Sequence, residues 1–289
     1  MYPTPAQTSS TSSGVAVVLI EDDSRDGAAL WSRVDLALKQ GFEVWLRSPL
    51  LVSLIEALGR EYKGQLWLVL EPKINSNKSW EHRFIWCRDI LLSALALMIL
   101  CLLLAVIALA VKFSSSGPVF FTSTVVGKGR STFVWRKFRS MQVIPEAEDA
   151  EQRRLRYQAF VQGSRSMTSS KAPGKLIDER RVTRVGRIIR KYSLDELPQL
   201  WNVLRGQMSL VGPRPCSPDE AEHFTGWRSR RFAVKPGLTG VWQVFGRGRA
   251  SFDETAAMDV YYLYRRSFSF DLYLIFKTVF VVCTAKGAL

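Results

Sequence analysis

One apolar segment constrains the fold of this chain more than any other feature. Residues 90–111, "ILLSALALMILCLLLAVIALAV", are 22 residues without a charged side chain. As an α-helix they would be about 33 Å long, which matches the hydrocarbon core of a bilayer, about 30 Å thick. A helix in a soluble core would carry at least one polar edge. The segment therefore predicts a membrane anchor helix over residues 81–113.

The charges beside the anchor leave two topologies open. The sequence from 112 to 145 has no acid and carries six basic residues: Lys112, Lys128, Arg130, Arg136, Lys137 and Arg139. By the positive-inside rule this side is cytoplasmic, yet Arg83 and Arg88 precede the anchor as well. A helix that enters and turns back keeps both flanks on one side, so we expect a re-entrant helix. A full span stays open, because the segment contains no proline or glycine to bend it.

The sequence before the anchor predicts a small α/β unit over residues 15–80, after a polar, disordered start at 1–14. Strand patterns at 15–20, 42–48 and 65–71 alternate with helix patterns at 26–41 and 50–62. This order is typical of an open, Rossmann-like unit with parallel strands. It lacks a G-x-G-x-x-G motif, so a regulatory or packing role is the simpler interpretation.

Composition limits the partners and the chemistry. A net charge of +14 and a sequence pI near 9.9 indicate an anionic partner. No recognition-helix or zinc-finger motif is present, so we predict no nucleic acid partner. His82 and His223 are too few for a histidine metal centre or a Ser-His-Asp triad, and the four cysteines have no CxxC spacing. If a metal acts, Mg²⁺ on oxygen ligands is expected.

The sequence from 114 to 289 predicts one mixed α/β domain. Residues 117–141 alternate apolar and polar side chains around a Gly-Lys-Gly turn, as a hairpin does. Residues 180–191 carry six basic residues and no acid, and four of them can share one helical face: Arg181, Arg184, Arg187 and Lys191. That pattern is typical of a helix at a lipid headgroup interface; a solvated basic face is the alternative.

Asp195 and Glu196 lie side by side in "RKYSLDELPQL", residues 190–200. In one interpretation, Ser193 is the N-cap of a helix and pairs with Glu196 in a capping box. In another, the helix begins at Asp195, which places Pro198 in the tolerated first turn. Either way both acids lie at a helix N-terminus, where the partial positive charge keeps a carboxylate ionised.

An ionised carboxylate among basic side chains is suited to phosphoryl transfer through an aspartyl phosphate. Asp195 is the candidate nucleophile, and Glu196 would hold Mg²⁺ or orient a phosphate. The candidates for binding phosphate oxygens are Lys137, Arg139, Arg190 and Arg214. Adjacent acids on a solvated surface are common, so the chemistry alone leaves that alternative open.

Three blocks of the sequence resemble the bacterial sugar transferase family. They are "GPVFF…VGKGRSTFVWRKFRSM" (117–141), "RVTRVGRIIRKYSLDELPQLWNVLRGQMSLVGPRP" (181–215) and "KPGLTGVWQVFGRGR…SFDLYLIFKTVFVV" (235–282). The resemblance covers about residues 83–289, and its central block is highly specific. In the family's re-entrant helix a Ser-Pro pair makes the break; the matching position here reads Cys101-Leu102.

The resemblance implies a monotopic enzyme whose catalytic domain, residues 114–289, lies on the cytoplasmic face of the bacterial inner membrane. Asp195 would take hexose-1-phosphate from a UDP-hexose and release UMP, and undecaprenyl phosphate would then accept it. Glu196 would assist, and the acidic pair would bind Mg²⁺. Arg139 and Arg214 fall in matching motifs and would hold phosphate groups, as would Lys137 and Arg190. Such enzymes begin exopolysaccharide, capsule or O-antigen synthesis.

A function of another class also fits the sequence: a noncatalytic, membrane-anchored basic scaffold that binds anionic lipid. Both hypotheses predict contact with inner-membrane lipid, and only the first requires Asp195 for chemistry. The sequence does not identify the hexose, and a homo-oligomer is left open.

Overall fold

The computed structural model describes residues 7–10, 16–71, 79–166, 179–246 and 250–284, and it has the predicted mixed α/β fold. Its strands are β1 Gln7–Ser10, β2 Ala16–Glu21, β3 Glu43–Arg47, β4 Arg60–Tyr62, β5 Gln65–Leu70, β6 Phe120–Val126, β7 Thr132–Phe138, β8 Ser209–Val211 and β9 Gly237–Thr239. Its α-helices are α1 Gly27–Lys39, α2 Val52–Leu58, α3 Ser79–Ile99, α4 Cys101–Ser114, α5 Glu146–Ser166, α6 Arg184–Lys191, α7 Leu200–Leu204, α8 Pro218–His223, α9 Phe252–Arg265 and α10 Phe268–Thr284. Short 3₁₀-helices lie at Pro49–Leu51, Lys128–Arg130, Glu179–Arg181, Leu194–Gln199 and Gly226–Ala233, and a π-helix at Trp242–Gly246.

The N-terminal sheet is not all parallel, so that prediction is wrong for its last strand. The order is β1-β2-β3-β5-β4; β2 and β3 are parallel, but β5 is antiparallel to β3. The predicted helix over 50–62 ends at Leu58, and β4 follows it. Lys63 and Gly64, with φ of 49° and 76°, form the left-handed pair typical of a tight hairpin turn. This turn reverses the chain into β5.

Part of the predicted disordered start is a strand. Gln7–Ser10 form β1, which pairs antiparallel with β2. Residues 1–6 and 11–15 lie outside the described residues. The N-terminal unit therefore includes a strand that its low-complexity sequence did not indicate.

The N-terminal unit packs against the C-terminal domain, residues 114–289. Trp31 on α1 stacks on Tyr264 of α9, with 5.4 Å between ring centres. Asp35 accepts hydrogen bonds from the Arg230 guanidinium (2.6 Å) and the Tyr264 hydroxyl (2.7 Å). One apolar core cluster contains residues of both parts, so the unit has a packing role, one of the two roles expected from its sequence.

The apolar segment forms two helices instead of the single helix predicted for residues 81–113. Leu100 separates α3 from α4 with φ −89° and ψ 3°, and the axes bend by 64° at this break. Within the described ranges no single helix is long and apolar enough to cross a bilayer, whereas His82–Ile99 and Cys101–Ser114 satisfy both criteria together. The bend lies next to Cys101 without a proline or glycine to cause it.

The outward faces of α3 and α4 are apolar and exposed. Their exposed apolar side chains include Leu91, Leu95, Met98, Ile99, Leu102, Val106, Leu109 and Phe113. The C-terminal part of α10 adds Phe276, Val279 and Phe280. So many exposed apolar side chains on three helices indicate a surface that contacts lipid or another apolar partner.

A buried network of charges fixes α3 to the C-terminal domain. Arg88 Nη2 lies 2.6 Å from Asp89 Oδ1 and 3.0 Å from Asp271 Oδ2 on α10. The Ser209 hydroxyl donates to Asp89 (2.5 Å), and the Tyr262 hydroxyl donates to Asp271 (2.8 Å). Each buried carboxylate therefore has both a cation and a hydroxyl donor, which offset its loss of water.

A separate apolar cluster holds α4. Ile107 and Val111 of α4 pack with Phe138 of β7 and Ile189 of α6. Leu194, the residue before Asp195, packs against the same cluster. Both arms of the bent helix pair therefore contact the same domain.

The basic helix predicted for 180–191 begins later than expected. Thr183 caps α6 through its side chain, which accepts from the Gly186 N–H at 2.8 Å. Gly186 is required here, because a Cβ would lie 1.9 Å from the Ser140 carbonyl oxygen. The exposed residues of α6 combine charge with one large apolar side chain: Arg184, Arg187, Ile188 and Lys191. This mixture fits a lipid headgroup interface better than a fully polar face does.

Arg88→Met should destabilise the fold strongly, because it leaves Asp89 and Asp271 buried without their cation. We expect the free energy of unfolding to fall by about 3–5 kcal/mol, measured by denaturant titration of detergent-solubilised protein. Arg154→Met is the matched control: it breaks an exposed pair with Glu151 at 3.1 Å and should change stability by less than about 1 kcal/mol. Equal, small effects of the two variants would contradict a role for the network in stability.

Candidate active site

The acidic pair lies in a 3₁₀-helix over Leu194–Gln199 with Ser193 at the N-cap position, so the first predicted helix start is correct and the second, at Asp195, is wrong. The helix begins at Leu194, and Ser193 makes no side-chain capping bond there. Ser193 instead has a left-handed backbone (φ 51°, ψ 23°), which is uncommon for a residue with a side chain. Pro198 accounts for the tighter helix, because its ring would collide with the Leu194 carbonyl in an α-helix.

Three of the four predicted basic residues surround the acidic pair. Lys137 on β7 and Arg190 on α6 both act electrostatically on Asp195. Arg214, in the loop after β8, has Nη1 3.7 Å from Glu196 Oε1. The three cations come from separate elements, so the fold brings them together. Asp195 is buried, at 8% exposed, and Glu196 is partly exposed.

Burial makes Asp195 hard to ionise. Removal from water raises the pKa of this carboxyl most strongly, and the charge of Glu196 raises it further, while Lys137 and Arg190 lower it. The resulting pKa is about 6. The expectation that the surroundings favour ionisation is thus only partly met: Asp195 is mainly a carboxylate at pH 7, but a poorly solvated and more basic one. Such an oxygen is a better nucleophile than an exposed carboxylate.

Lys137 is enclosed by aromatic rings of the β6–β7 hairpin. Its Nζ lies 4.8 Å from the ring centre of Trp135 and 5.1 Å from that of Phe121, within cation–π range. Burial lowers the pKa of Lys137 most, neighbouring arginines lower it as well, and the acidic pair raises it. An ammonium with little water around it is a strong partner for a phosphate oxygen.

A rigid loop presents Arg214. The strands beside this loop, β8 and β9, pair in parallel, and a Cβ at Gly237 would lie 2.0 Å from the Gly212 nitrogen. Only glycines allow so close an approach of two backbones. The Arg214 guanidinium lies 5.8 Å from the ring centre of Trp242, so it has Glu196 and an indole as neighbours.

The structure does not bring the fourth basic candidate, Arg139, to the acidic pair. Its guanidinium donates to the carbonyl oxygens of Val111 (2.9 Å), Ser115 (2.6 Å) and Pro118. These bonds close the C-terminal end of α4 and shape the turn into β6. We therefore assign Arg139 a structural role in place of the predicted phosphate contact.

The donor set at the acidic pair fits Mg²⁺. Two adjacent carboxylates are the hard oxygen ligands that this ion prefers, and it commonly takes only one or two protein carboxylates together with substrate phosphates. Among the described residues, no group of three or more His, Cys, Asp or Glu side chains is arranged to hold a metal. Asp195 and Glu196 would therefore bind the ion together with a phosphorylated substrate.

Three residues at or behind the site were not predicted: Trp242, Arg231 and Asp259. Arg231 donates to the backbone carbonyl of Arg214 at 2.6 Å and lies 3.0 Å from Asp259 Oδ2. Trp242 lies within the third block of the resemblance, where the sequence indicated no specific role for it. No spacing rule joins Arg231 to Asp259, since they lie on different elements.

Comparisons with known proteins point to one family. The model of the bacterial sugar transferase family matches residues 80–285. The exopolysaccharide production protein ExoY of Sinorhizobium fredii is 38% identical over 200 residues, which cover 69% of this chain and 85% of that protein. The undecaprenyl-phosphate galactose phosphotransferase of Salmonella typhimurium is 38% identical over 172 residues, 60% of this chain and 35% of that protein. The UDP-N-acetylgalactosamine-undecaprenyl-phosphate N-acetylgalactosaminephosphotransferase of Aeromonas hydrophila is 35% identical over 206 residues, 69% and 44% respectively.

Asp195→Asn should stabilise the protein. Because the pKa of Asp195 rises to about 6 on folding, ionisation at pH 7 costs the folded state more than the unfolded chain, and a neutral amide removes that cost. We expect a gain of up to about 3 kcal/mol in the free energy of unfolding above pH 6.

The gain should disappear below about pH 4, where the carboxyl is protonated in both states. Denaturant titrations at several pH values measure it. Asp219→Asn, at an exposed acid on α8, is the control and should give no pH-dependent gain. A gain at Asp195 that is independent of pH would contradict the assigned cause.

Proposed function

This chain belongs to the bacterial sugar transferase family, and on that premise we propose that it transfers hexose-1-phosphate from a UDP-sugar to undecaprenyl phosphate. The observation that carries the proposal is the buried Asp195 beside Glu196, surrounded by Lys137, Arg190 and Arg214. The names of relatives support the substrate classes, since two of them include undecaprenyl phosphate and one a UDP-sugar. The transfer would begin exopolysaccharide, capsule or O-antigen synthesis.

The first step forms a covalent enzyme intermediate. A carboxylate oxygen of Asp195 attacks the phosphorus that bears the sugar, an Asp–O–P bond forms, and the bond to the bridging oxygen between the two phosphorus atoms breaks. UMP leaves with the bridging oxygen and its electron pair. In the second step a phosphate oxygen of undecaprenyl phosphate attacks the same phosphorus. The Asp195 carboxylate leaves, and undecaprenyl-diphosphate-hexose is formed.

The basic residues act on the charge of the phosphates. Lys137 and Arg190, which face Asp195, neutralise oxygens on the phosphorus under attack. The side chain of Arg214 is 44% exposed. Its guanidinium lies beside Glu196 and is accessible to the phosphate of the leaving UMP. The three cations lower the repulsion between an anionic nucleophile and an anionic substrate, which is the main obstacle to this reaction.

Asp195 and Glu196 are the residues that would hold Mg²⁺. Bound there with the donor phosphates, the ion would supply a Lewis acid that draws charge from phosphate oxygens. Glu196 would also keep Arg214 in place through their ion pair. The poor solvation of Asp195 favours its use as the nucleophile, and the more exposed Glu196 suits the ion better.

We propose that the bent pair α3–α4 enters the cytoplasmic leaflet of the inner membrane and returns on the same side. Arg88 near one end and Val111 near the other both contact the C-terminal domain. A helix pair that crossed the bilayer would carry one of these contacts to the opposite face. The exposed apolar side chains around Leu100 would then form the deepest point, and basic residues of α6 would lie at the headgroups.

Asp195→Asn should lower UMP release by more than about 1,000-fold, because it removes the nucleophile. The assay uses purified protein, Mg²⁺, undecaprenyl phosphate and a panel of UDP-sugars that includes galactose, glucose and N-acetylhexosamine donors. Asp219→Asn is the control and should keep wild-type rates. Mass spectrometry of wild-type protein incubated with donor alone should find a hexose-phosphate adduct on the peptide with Asp195.

Two results would contradict this proposal. An active enzyme without the adduct would overturn the covalent mechanism. A well-folded wild type that releases no UMP with any sugar, yet binds anionic vesicles in a salt-dependent way, would favour the noncatalytic scaffold.

The re-entrant topology predicts that cysteines placed at positions 82 and 114 report the same, cytoplasmic compartment. His82→Cys and Ser114→Cys are introduced separately into a variant whose native cysteines are replaced by serine. Whole cells and opened cells are then treated with a membrane-impermeant thiol reagent. Both positions should react only after the cells are opened. Reaction of one position in whole cells would show a full span.

A further inference from the structure

We propose that Arg231 and Asp259 form a buried positioning pair that holds the backbone of Arg214, and through it the Arg214 guanidinium, beside Glu196. The pair would support the transfer without touching a substrate. This inference rests on the proposed function for its kinetic consequence, but the contact itself can be tested without turnover.

Arg231 is enclosed, and one nitrogen of its guanidinium approaches two oxygens. Its Nη2 donates to the carbonyl oxygen of Arg214 at 2.6 Å and lies 3.0 Å from Asp259 Oδ2. The face of Phe224 covers the guanidinium, with 3.9 Å from its central carbon to the ring centre. The side chains of Arg231 and Asp259 are 4% and 3% exposed. Neither can reach a bound phosphate in this arrangement.

A hydrogen bond to the carbonyl of Arg214 strongly affects where the Arg214 side chain points. Backbone bonds secure the residues on either side: the Gly237 N–H donates to the Pro213 carbonyl, and the Val126 N–H donates to the Cys216 carbonyl, each at 2.8 Å. Between these points, the bond from Arg231 orients the peptide that follows Arg214. Rotation of that peptide would swing the Cα–Cβ direction of Arg214 and move its guanidinium away from Glu196.

The presence of a buried ion pair behind the Arg214 loop, in place of an apolar pair, favours a positioning role. An apolar pair of similar size would often be as stable or more stable, because burying charges costs solvation energy. An apolar side chain, however, offers no donor to a backbone carbonyl. A guanidinium has five N–H donors in a fixed plane, so it can meet Asp259 and the loop carbonyl together.

Arg214 needs such support because its own side chain is long and partly exposed. It is 44% exposed, with Glu196 at 3.7 Å and the Trp242 ring centre at 5.8 Å. Displacement of a substrate-binding group by about 1 Å can lower a rate by about 100-fold. The buried pair therefore limits the space that the Arg214 guanidinium explores.

The chain provides a matched control pair. Arg228 and Asp253 lie 2.6 Å apart and join the same two elements, the 3₁₀-helix 226–233 and α9. Arg228 lies over the rings of Trp227 and Phe252, and its ion pair with Asp253 does not involve Arg214. Replacing this pair removes the same charges from the same interface.

The test compares Arg231→Met/Asp259→Asn with Arg228→Met/Asp253→Asn, so that neither double variant leaves a buried charge unpaired. We expect the first to lower kcat/KM for the UDP-sugar by about 10- to 100-fold, the range found when a group that orients a ligand-binding residue is lost. The control should stay within about 3-fold of wild type. Equal losses in the two double variants would overturn the proposal.

A double-mutant cycle separates positioning from general damage. In an Arg214→Ala background, the Arg231→Met/Asp259→Asn change should alter kcat/KM by less than about 3-fold, because the side chain that it positions is gone. A full, additive loss in that background would contradict the proposal.

Hydrogen exchange tests the contact independently of catalysis. Mass spectrometry should show at least about 10-fold faster exchange of the amides of Arg214 and Cys216 in the Arg231→Met/Asp259→Asn protein, and no change in the control. Unchanged exchange in the folded variant would overturn the inference. If the wild type releases no UMP, the proposed function fails while this measurement still decides the contact.

Arg231→Lys provides a second route if the double variant does not fold. The lysine keeps a positive charge beside Asp259 but lacks the planar fork that reaches two acceptors. We expect the same Arg214-dependent loss at a smaller size, about 5-fold or more, with faster exchange at Arg214. Wild-type exchange and kinetics in this variant would contradict the proposal.

Discussion

The ion pairs of Arg88 with Asp89 and Asp271 determine how the bent helix pair lies against the C-terminal domain. Buried charges are tolerated only in the arrangement that pairs all of them. A rotation of α3 by one residue, about 100°, would turn Arg88 away and leave Asp271 on α10 without its cation. The network therefore selects one register of α3, and the apolar contacts of α4 then fix the second arm.

The chemistry at the acidic pair is a balance between burial and charge. Burial makes the Asp195 carboxyl costly to ionise. It also removes the water that would lower the nucleophilicity of the carboxylate. Lys137 and Arg190 limit that cost without cancelling it. Two backbone features hold other parts of the site in place. Ser193, which has a left-handed backbone, precedes the acids, and the close approach of Gly212 and Gly237 fixes the strands beside the Arg214 loop. The folded state is therefore less stable locally at Asp195, where the proposed reaction uses a poorly solvated anion.

The sequence indicates features that depend on long or repeated patterns, and it misses those that depend on single contacts. The charge-free run at 90–111 and the alternation around the β6–β7 turn were sufficient to place the apolar helices and the hairpin. The direction of β5 was missed because it depends on a two-residue turn at Lys63 and Gly64. The break at Leu100 carries no helix-breaking residue, so composition gave no warning of it.

In the candidate site too, the sequence indicated the residue types but not every contact that they make. The adjacent acids and the basic blocks brought Asp195, Glu196, Lys137, Arg190 and Arg214 into consideration, and the fold does bring these five together. Arg139 has the same residue type and a nearby position, yet its guanidinium serves backbone carbonyls. Which group a guanidinium contacts depends on where the other helices, strands and loops run. No local pattern in the sequence indicates this.

Leu194 links the bent helix pair α3–α4 to the acidic pair through packing contacts. It packs against the apolar cluster that contains Ile107 and Val111 of α4 together with Phe138 and Ile189, and one peptide bond joins it to Asp195. With α3 and α4 in the membrane as proposed, a change in bilayer thickness that tilts α4 would be transmitted through this cluster to the backbone at Asp195. The rate of the proposed transfer would then depend on the elastic state of the lipid around the helices, in addition to the concentrations of the substrates.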